Sequence, residues 1–210
     1  DGTYVALACL DFAHTILIFD WKNNILHARW NGGAKKILCL CFGSPYAPAP
    51  PLVPAEGEVA APLPAANVES PALRLAYGGI IHFGLADVKQ QGSVNAKTGL
   101  YGTGIKKTNA LCCVALPLPA EAGNEFLIGF SNGTVGVVTK GDKRISNFVP
   151  VLERGSITSL WVCKLKDTTA EEGPSYQVVV GATQGHIKIL DMEFAPTAEF
   201  NIYAHDAYSL

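Results

Sequence analysis

A repeated order of strands and turns is the feature that most constrains how this 210-residue sequence can fold. Four stretches each contain an apolar strand with a small residue at one register, then a tight turn, then a second strand rich in Ile and Val; they are residues 5–20, 73–83, 126–138 and 178–191. The small residues are Ala8, Ala76, Gly129 and Gly181. Self-similarity of this kind indicates a repeat architecture, in which each unit is one supersecondary motif.

Two further strands extend each of these hairpins. An apolar run precedes three of them, at 37–42, 111–116 and 157–162, and a more polar strand follows each one, at 25–30, 88–94, 144–149 and 198–203. Units of four antiparallel strands that become more polar from first to last are typical of propeller blades, whose inner strands crowd the axis while the outer edge meets water. No stretch combines a helical period with a helix cap. The sequence therefore predicts an all-β fold, a β-propeller with about four blades.

The predicted blades cover residues 3–33, 34–94, 109–154 and 155–205, and a further blade begins at 206–210. We expect these to be part of a larger propeller, seven-bladed or tandem. A four-bladed ring closed by pairing 206–210 with the first strands is the alternative, because propellers have four to eight blades. Residues 43–72 hold eight of the 13 prolines together with many alanines, which predicts a disordered insertion.

Composition excludes several classes of protein. Half of the residues are apolar (49%) and few are charged (16%), which rules out a wholly disordered chain. The formal net charge of −2 argues against a nucleic-acid binder, which needs a broad basic field. No apolar run approaches the ~18 residues of a membrane span, so no membrane partner is predicted.

The six cysteines indicate a reducing, cytoplasmic location. They lie in apolar runs and form no C-x-x-C pair, so we expect reduced thiols that act as small buried apolar groups. A zinc site or a disulfide framework is the alternative.

No motif predicts an enzyme, a cofactor or a resident metal. The nearest approach to a phosphate-binding loop runs from Gly99 to Gly104, but Ile105 stands where such a loop requires lysine, and an apolar strand follows where it requires a helix. The pair His205 and Asp206 is predicted to hydrogen-bond between blades. Prolines of the insertion have polyproline-ligand spacing without a flanking basic residue, so a plain insertion is favoured.

Basic residues are the candidate partner-binding groups. Lys35-Lys36 and Lys106-Lys107 directly precede innermost strands, so both pairs should project from the same rim. A third set precedes an outer strand and should lie on the opposite rim; its members are Lys140, Lys143 and Arg144. Cationic loops of this kind attract acidic partners at long range. The alternative is that these side chains only solvate the rims.

Several segments, in order along the chain, resemble the WD-repeat propellers of the echinoderm microtubule-associated-protein-like family. Residues 14–21 read His-Thr-Ile-Leu-Ile-Phe-Asp-Trp, similar to a WD-repeat strand with Phe-Asp in place of Trp-Asp and followed by the family's Trp. Residues 140–146 read Lys-Gly-Asp-Lys-Arg-Ile-Ser, and residues 79–83 read Gly-Ile-Ile-His-Phe; both are similar to stretches of that family. The resemblance extends over about residues 3–205 and implies a WD-type propeller that binds tubulin or microtubules.

Together these patterns predict a non-enzymatic scaffold. Its expected partners are tubulin or microtubules and the remaining blades of the same protein, and its expected location is the cytoskeleton, including the ciliary axoneme. An adaptor propeller in a trafficking coat or a ubiquitin-ligase receptor is the alternative function, because a fold does not determine a function.

Overall fold

The structure is a computed structural model, and it describes residues 2–43, 73–102, 105–117, 124–139, 143–165 and 175–203. These residues form strands, turns and one short 3₁₀ segment, Thr183–Gly185, with no α-helix among them. The predicted all-β class is therefore confirmed for the described part of the chain. The predicted disordered insertion, apart from Gly43, and the segment 206–210 lie outside the described residues.

Fifteen strands form four separate antiparallel sheets among the described residues. Sheet 1 contains β1 (Tyr4–Ala8), β2 (Thr15–Asp20) and β3 (Ile25–Asn31). Sheet 2 contains β4 (Ile37–Phe42), β5 (Leu73–Gly79), β6 (His82–Val88) and β7 (Val94–Thr98). Sheet 3 contains β8 (Ala110–Ala115), β9 (Asn124–Phe130), β10 (Thr134–Thr139) and β11 (Ile145–Pro150). Sheet 4 contains β12 (Ile157–Lys164), β13 (Tyr176–Ala182), β14 (His186–Leu190) and β15 (Pro196–Asn201).

Apolar cores lie between successive sheets. In sheet 3, Phe126 and Ile128 pack towards sheet 2, and the intervening Leu127 packs towards sheet 4. Both faces of this sheet are thus buried, which explains why its strands read as continuous apolar runs and not as an alternation. Ile16 and Ile18 of sheet 1 pack in the same way against sheet 2.

The first strands of sheets 2, 3 and 4 contact one another in series, β4 with β8 and β8 with β12. Each begins with the same irregularity, a register shift directly after Ile37, Ala110 or Ile157. The second strands of sheets 2 and 3 also contact the first strand of the next sheet, β5 with β8 and β9 with β12, and β1 of sheet 1 contacts β4 in the same way. The innermost strands therefore line a shared hub from which the sheets extend.

The outward faces of the two end sheets carry exposed apolar side chains. On the outward face of sheet 1, Val5 and Leu7 are 40% and 46% exposed. On the outward face of sheet 4, Trp161 and Phe200 are 66% and 53% exposed. The four-bladed alternative depends on residues 206–210, which lie outside the described residues, so it stays a prediction.

The structure corrects two sequence predictions about strands. The outer strand expected at 88–94 is wrong, because Val88 ends β6, a turn follows, and β7 occupies Val94–Thr98. Strand β7 has a weak sequence pattern because it is short and carries mostly exposed polar side chains. The second blade therefore extends beyond residue 94, where the sequence predicted its end. The small residue of the second unit is Gly78 and not Ala76, because Gly78 pairs with Cys39 as Gly129 pairs with Cys112.

Two of the hairpin turns differ in how they are closed. Gln184 and Gly185 both have positive φ, 63° and 72°, as the β13–β14 turn requires. In the β9–β10 turn only Gly133 has positive φ (80°), and the Asn132 side chain accepts a hydrogen bond from the Thr134 hydroxyl at 2.8 Å. That turn is therefore closed by an Asx-type contact instead of by two left-handed residues.

Candidate functional site

The tip of the β5–β6 hairpin presents two isoleucines to solvent. Ile80 and Ile81 are 40% and 41% exposed. Ile81 has φ of 58°, a left-handed conformation that is a genuine outlier for a β-branched residue. Such strain persists only where the surrounding structure holds it, and it is found preferentially at functional positions. The hairpin tip is therefore the first candidate for a binding site.

Backbone and side-chain hydrogen bonds hold this tip between two connections. The Ile80 N–H donates to the Lys36 carbonyl at 3.1 Å, directly before β4. The Ile81 N–H donates to Asn109 Oδ1 at 3.1 Å, directly before β8. His82 completes the tip with a 3.1 Å contact between its Nδ1 and the Ile80 carbonyl. The strained turn is thus fixed to the starts of two adjacent innermost strands.

The two predicted lysine pairs flank this tip. Lys35 and Lys36 are exposed on the connection that bonds to Ile80. Lys106 and Lys107 are exposed on the connection whose Asn109 bonds to Ile81. The structure therefore brings both pairs to the same end of the sheets, around one apolar hairpin. We call Lys35, Lys36, Ile80, Ile81, Lys106 and Lys107 the lysine-rimmed tip.

The third basic set lies elsewhere. Lys143 and Arg144 are exposed at the start of β11, which in an antiparallel four-stranded sheet is the end opposite to the start of β8. The Leu100 N–H donates to the Lys143 carbonyl at 2.7 Å, which attaches this segment to the chain leaving β7. Lys140, the third predicted member of the set, lies outside the described residues.

An aromatic cluster supports the connection that carries Lys106 and Lys107. The Tyr101 ring contacts Phe83, Phe130 and Phe148, with ring centroids 5.4–6.3 Å apart. Its hydroxyl donates to the Thr108 carbonyl at 2.8 Å. Burial raises the pKa of Tyr101 to about 12, so the hydroxyl keeps its proton at physiological pH. This anchor fixes one side of the lysine-rimmed tip.

The phosphate-loop resemblance finds no support in the local structure. Gly104 lies outside the described residues, and residues 105–109 lead into the strand β8. A phosphate site of that class uses the N-terminal amides of a helix, which this connection does not provide. His205 and Asp206, predicted to hydrogen-bond between blades, also lie outside the described residues.

Cysteines line the hub instead of a reactive site. The Cys112 thiol donates a long hydrogen bond, 3.9 Å, to the Ile157 carbonyl in the next sheet, and the Cys113 thiol contacts the Ala76 carbonyl at 3.8 Å. The Cys113 thiol lowers the pKa of Cys41 by hydrogen bonding to it. Among the described residues, no three His, Cys, Asp or Glu side chains are arranged to hold a metal ion.

Cys112 is expected to resist alkylation. Burial, with a smaller effect from nearby Cys39, raises its pKa to about 12. Since the thiolate is the nucleophile, labelling at pH 8 should be roughly 1,000-fold slower than for free cysteine. Mass spectrometry after timed iodoacetamide treatment measures this rate. Rapid labelling of Cys112 in the folded protein would contradict the buried hub position.

Replacing Ile81 by glycine should stabilise the protein by about 1 kcal/mol, because glycine adopts a positive φ without steric cost. Ile80 is the matched control, since its φ is not positive. Ile80→Gly should instead destabilise by about 0.5–1 kcal/mol through the added freedom of the unfolded chain. Urea denaturation of both variants measures the difference. Equal destabilisation by the two glycines would show that the turn is unstrained.

Comparison with protein-family models finds no match, and comparison with curated proteins also finds none. Within the described ranges no helix is long and apolar enough to span a membrane.

Sequence reasoning identified the lysines of the tip but missed Ile80 and Ile81. The signal was present as two β-branched residues between Gly79 and His82, at a position where hairpins normally place Asn, Asp or Gly. Two isoleucines at a turn indicate either a misplaced turn or an exposed apolar contact. The strand boundaries settle this, because β5 ends at Gly79 and β6 begins at His82.

Proposed function

We propose that this chain is part of a WD-type β-propeller and acts as a non-enzymatic interaction module that binds tubulin or microtubules through the lysine-rimmed tip. The four successive antiparallel sheets, with innermost strands in contact around a hub, support the propeller assignment. The resemblance of residues 14–21 and 140–146 to the microtubule-associated family supports the WD type and the partner.

One observation carries the functional proposal: two exposed isoleucines on a strained turn lie between two exposed lysine pairs. Exposed apolar side chains rimmed by charge are a common composition for protein interfaces. The lysines would attract an acidic surface, and the isoleucines would then be buried against it. Tubulin surfaces and tails are acidic, so the charge of the tip is complementary to this partner.

Charge reversal at the tip should weaken microtubule binding. Lys36→Glu combined with Lys107→Glu is expected to lower the affinity about tenfold in co-sedimentation. Charges at the rim of an interface act mainly on the association rate and on its dependence on salt, and the two glutamates would repel an acidic partner. Binding of the unaltered protein should also fall when salt is raised to about 0.15 M, where the screening length is ~8 Å. Both measurements use the complete 210-residue chain.

A matched double variant separates the tip from total charge. Lys22 lies in the β2–β3 turn and Lys164 ends β12, and both are exposed at the opposite end of their sheets. Lys22→Glu with Lys164→Glu changes the net charge equally and should leave binding unchanged. Ile81→Gly should weaken binding although it stabilises the fold. Absence of pelleting by the unaltered chain, or equal losses in both double variants, would reject the proposal.

A further inference from the structure

Two cysteines face each other between the innermost strands of sheets 2 and 3. On β4, Cys41 packs against the core shared by these two sheets, whereas Leu40 and Phe42 pack against the core shared with sheet 1. On β8, Cys113 packs against the same core as Cys41, whereas Cys112 packs towards sheet 4. Since β4 and β8 are in contact, the side chains of Cys41 and Cys113 meet across that contact.

Hydrogen bonds place the Cys41 sulfur at the edge of β8. It accepts hydrogen bonds from the Cys113 thiol and from the Ala115 N–H, two residues further along that strand. The Cys113 sulfur lies 3.8 Å from the carbonyl oxygen of Ala76, the residue that pairs with Cys41 in sheet 2. Each sulfur therefore contacts the sheet that carries the other.

These contacts favour the thiolate form of Cys41. Hydrogen bonding from the Cys113 thiol has the largest effect and, with the Ala115 N–H, lowers the pKa of Cys41 although burial opposes it. The pKa of Cys113 changes in the opposite direction, because hydrogen bonds to Cys39 and Cys41, together with burial, raise it. Since the thiolate is the form that reacts with oxidants, Cys41 should react first, while Cys113 keeps its proton.

In the reduced protein the hub thiols act as packing groups, and an oxidant would join two of them. We propose that Cys41 and Cys113 are an oxidation-sensitive pair that forms a disulfide between sheets 2 and 3 when the protein meets a peroxide. The arrangement carries the proposal, because two thiols from different sheets lie in hydrogen-bond contact on one face of each strand. The proposal does not depend on microtubule binding.

The reaction has two steps that balance with hydrogen peroxide as the oxidant. The Cys41 thiolate attacks one peroxide oxygen, the O–O bond breaks, hydroxide leaves, and a sulfenic acid remains on Cys41. The Cys113 sulfur then attacks the sulfur of that sulfenic acid while its proton joins the departing hydroxyl, so the S–O bond breaks and water leaves. Together the two sulfurs lose two electrons, and one peroxide molecule gains them.

Cys39 is the competing partner for Cys113, since the two thiols are also hydrogen-bonded. The Cys39 sulfur, however, contacts the carbonyl oxygen of Ala110 at 4.0 Å, which directs it to the beginning of β8. Cys41 instead contacts β8 at both Cys113 and Ala115. The geometry therefore favours the bond from Cys113 to Cys41 over the bond to Cys39.

The disulfide would connect β4 to β8, the two strands that follow the lysine pairs of the lysine-rimmed tip. It would also close a long loop between residues 41 and 113, which restricts the unfolded chain more than the folded one. The urea midpoint of the oxidised protein should therefore rise by roughly 1 M and return to its original value after treatment with dithiothreitol.

Peroxide treatment of the reduced 210-residue chain tests the proposal, because all six cysteines are free. Tandem mass spectrometry of a non-reduced digest should identify one dominant link, between Cys41 and Cys113. Its yield should not depend on protein concentration, because both partners belong to one chain. This measurement uses the unaltered protein, so its result stands whether or not a cysteine variant folds.

Adjacent cysteines provide a matched pair of variants. Cys113→Ser should abolish the link and leave a sulfenic acid on Cys41, which dimedone should trap about tenfold more than in the unaltered protein. Cys112→Ser changes the neighbouring thiol, which packs towards sheet 4 and whose pKa burial raises to about 12. That variant should form the link at a rate within about twofold of the unaltered protein. Circular dichroism verifies the fold of both.

Three results would overturn the proposal. The first is a dominant link from Cys113 to Cys39, or any dominant link that includes Cys112. The second is a disulfide between two chains in place of one within the chain. The third is oxidation of Cys41 to a sulfinic acid with Cys113 still a free thiol, which would show that the two sulfurs do not reach each other.

Discussion

Replacing Arg74 by methionine is expected to destabilise the protein by about 3 kcal/mol. Arg74 on β5 forms two ion pairs: its Nε lies 3.2 Å from Asp87 Oδ1 on β6, and its Nη1 lies 3.2 Å from Glu125 Oε2 on β9 of the next sheet. These contacts depart from hydrogen-bond geometry, so they act as ion pairs. The Arg74 and Glu125 side chains are 10% and 11% exposed, so removal of the arginine takes a cation away from a poorly solvated carboxylate. Breaking a buried pair from one side typically costs about 3–5 kcal/mol.

Urea denaturation at neutral pH measures this loss, with the slope against denaturant unchanged if only stability is affected. The matched control is Lys188→Met, which removes the cation of the ion pair between the half-buried Lys188 Nζ and the exposed Glu199 Oε2 at 3.3 Å. That change should cost under about 1 kcal/mol, because the Glu199 carboxylate is exposed and solvent screens the pair. Adding Glu125→Gln to Arg74→Met should recover part of the loss. Equal effects at positions 74 and 188 would show that the inter-sheet pair is solvated.

Gly129→Val is the second substitution with a large expected effect: it should lower the free energy of unfolding by about 2–3 kcal/mol. A Cβ there would lie 2.5 Å from Cys112 Sγ and 2.6 Å from Ile157 Cγ2. One contact is within sheet 3 and the other is with the first residue of β12, so the substitution pushes two sheets apart at the hub. Overpacking of a close-packed interior has costs of this order. Because valine has a high β-strand propensity, a loss of stability in this variant could not be attributed to propensity.

Gly102→Ala is the control for this substitution. A Cβ at Gly102 would come closest to the end of the Ile105 side chain, at 3.1 Å, and would reach the Ile145 carbonyl only at 3.9 Å; Gly102 does not have positive φ. Its stability should change by less than about 0.5 kcal/mol, as for other substitutions away from the core. Thermal or urea denaturation compares the two variants. A stable Gly129→Val protein with unchanged hub cysteine reactivity would contradict the close approach of the innermost strands.

Much of the fold could be predicted because its signals are local. The hairpins of residues 126–138 and 178–191 carry apolar strands on each side of turns that contain Gly133 and Gly185. Strand β7 escaped prediction because its five residues, Val94–Thr98, are mostly polar and exposed, and tertiary pairing with β6 alone makes them a strand. The register of the second unit was wrong by two residues for a related reason. Ala76 and Gly78 are both small, and only pairing with β4 distinguishes them.

The candidate site could be predicted only in part. Exposed lysines before innermost strands follow from the order of elements, so the sequence identified Lys35, Lys36, Lys106 and Lys107. The left-handed conformation of Ile81 was not predictable, because the turn is held by bonds from Ile80 to Lys36 and from Ile81 to Asn109, and both partners lie far away in sequence. The ion pairs of Arg74 were missed for the same reason, since Glu125 belongs to a different sheet.

By itself, the amino-acid sequence determined that this chain forms antiparallel hairpins in repeated units, because side-chain alternation and turn residues act over a few neighbouring positions. The tertiary structure alone decided which units adjoin and how their innermost strands meet around a hub. Those features depend on packing between residues tens of positions apart, where close fit and burial of apolar faces select one arrangement and no local pattern records it.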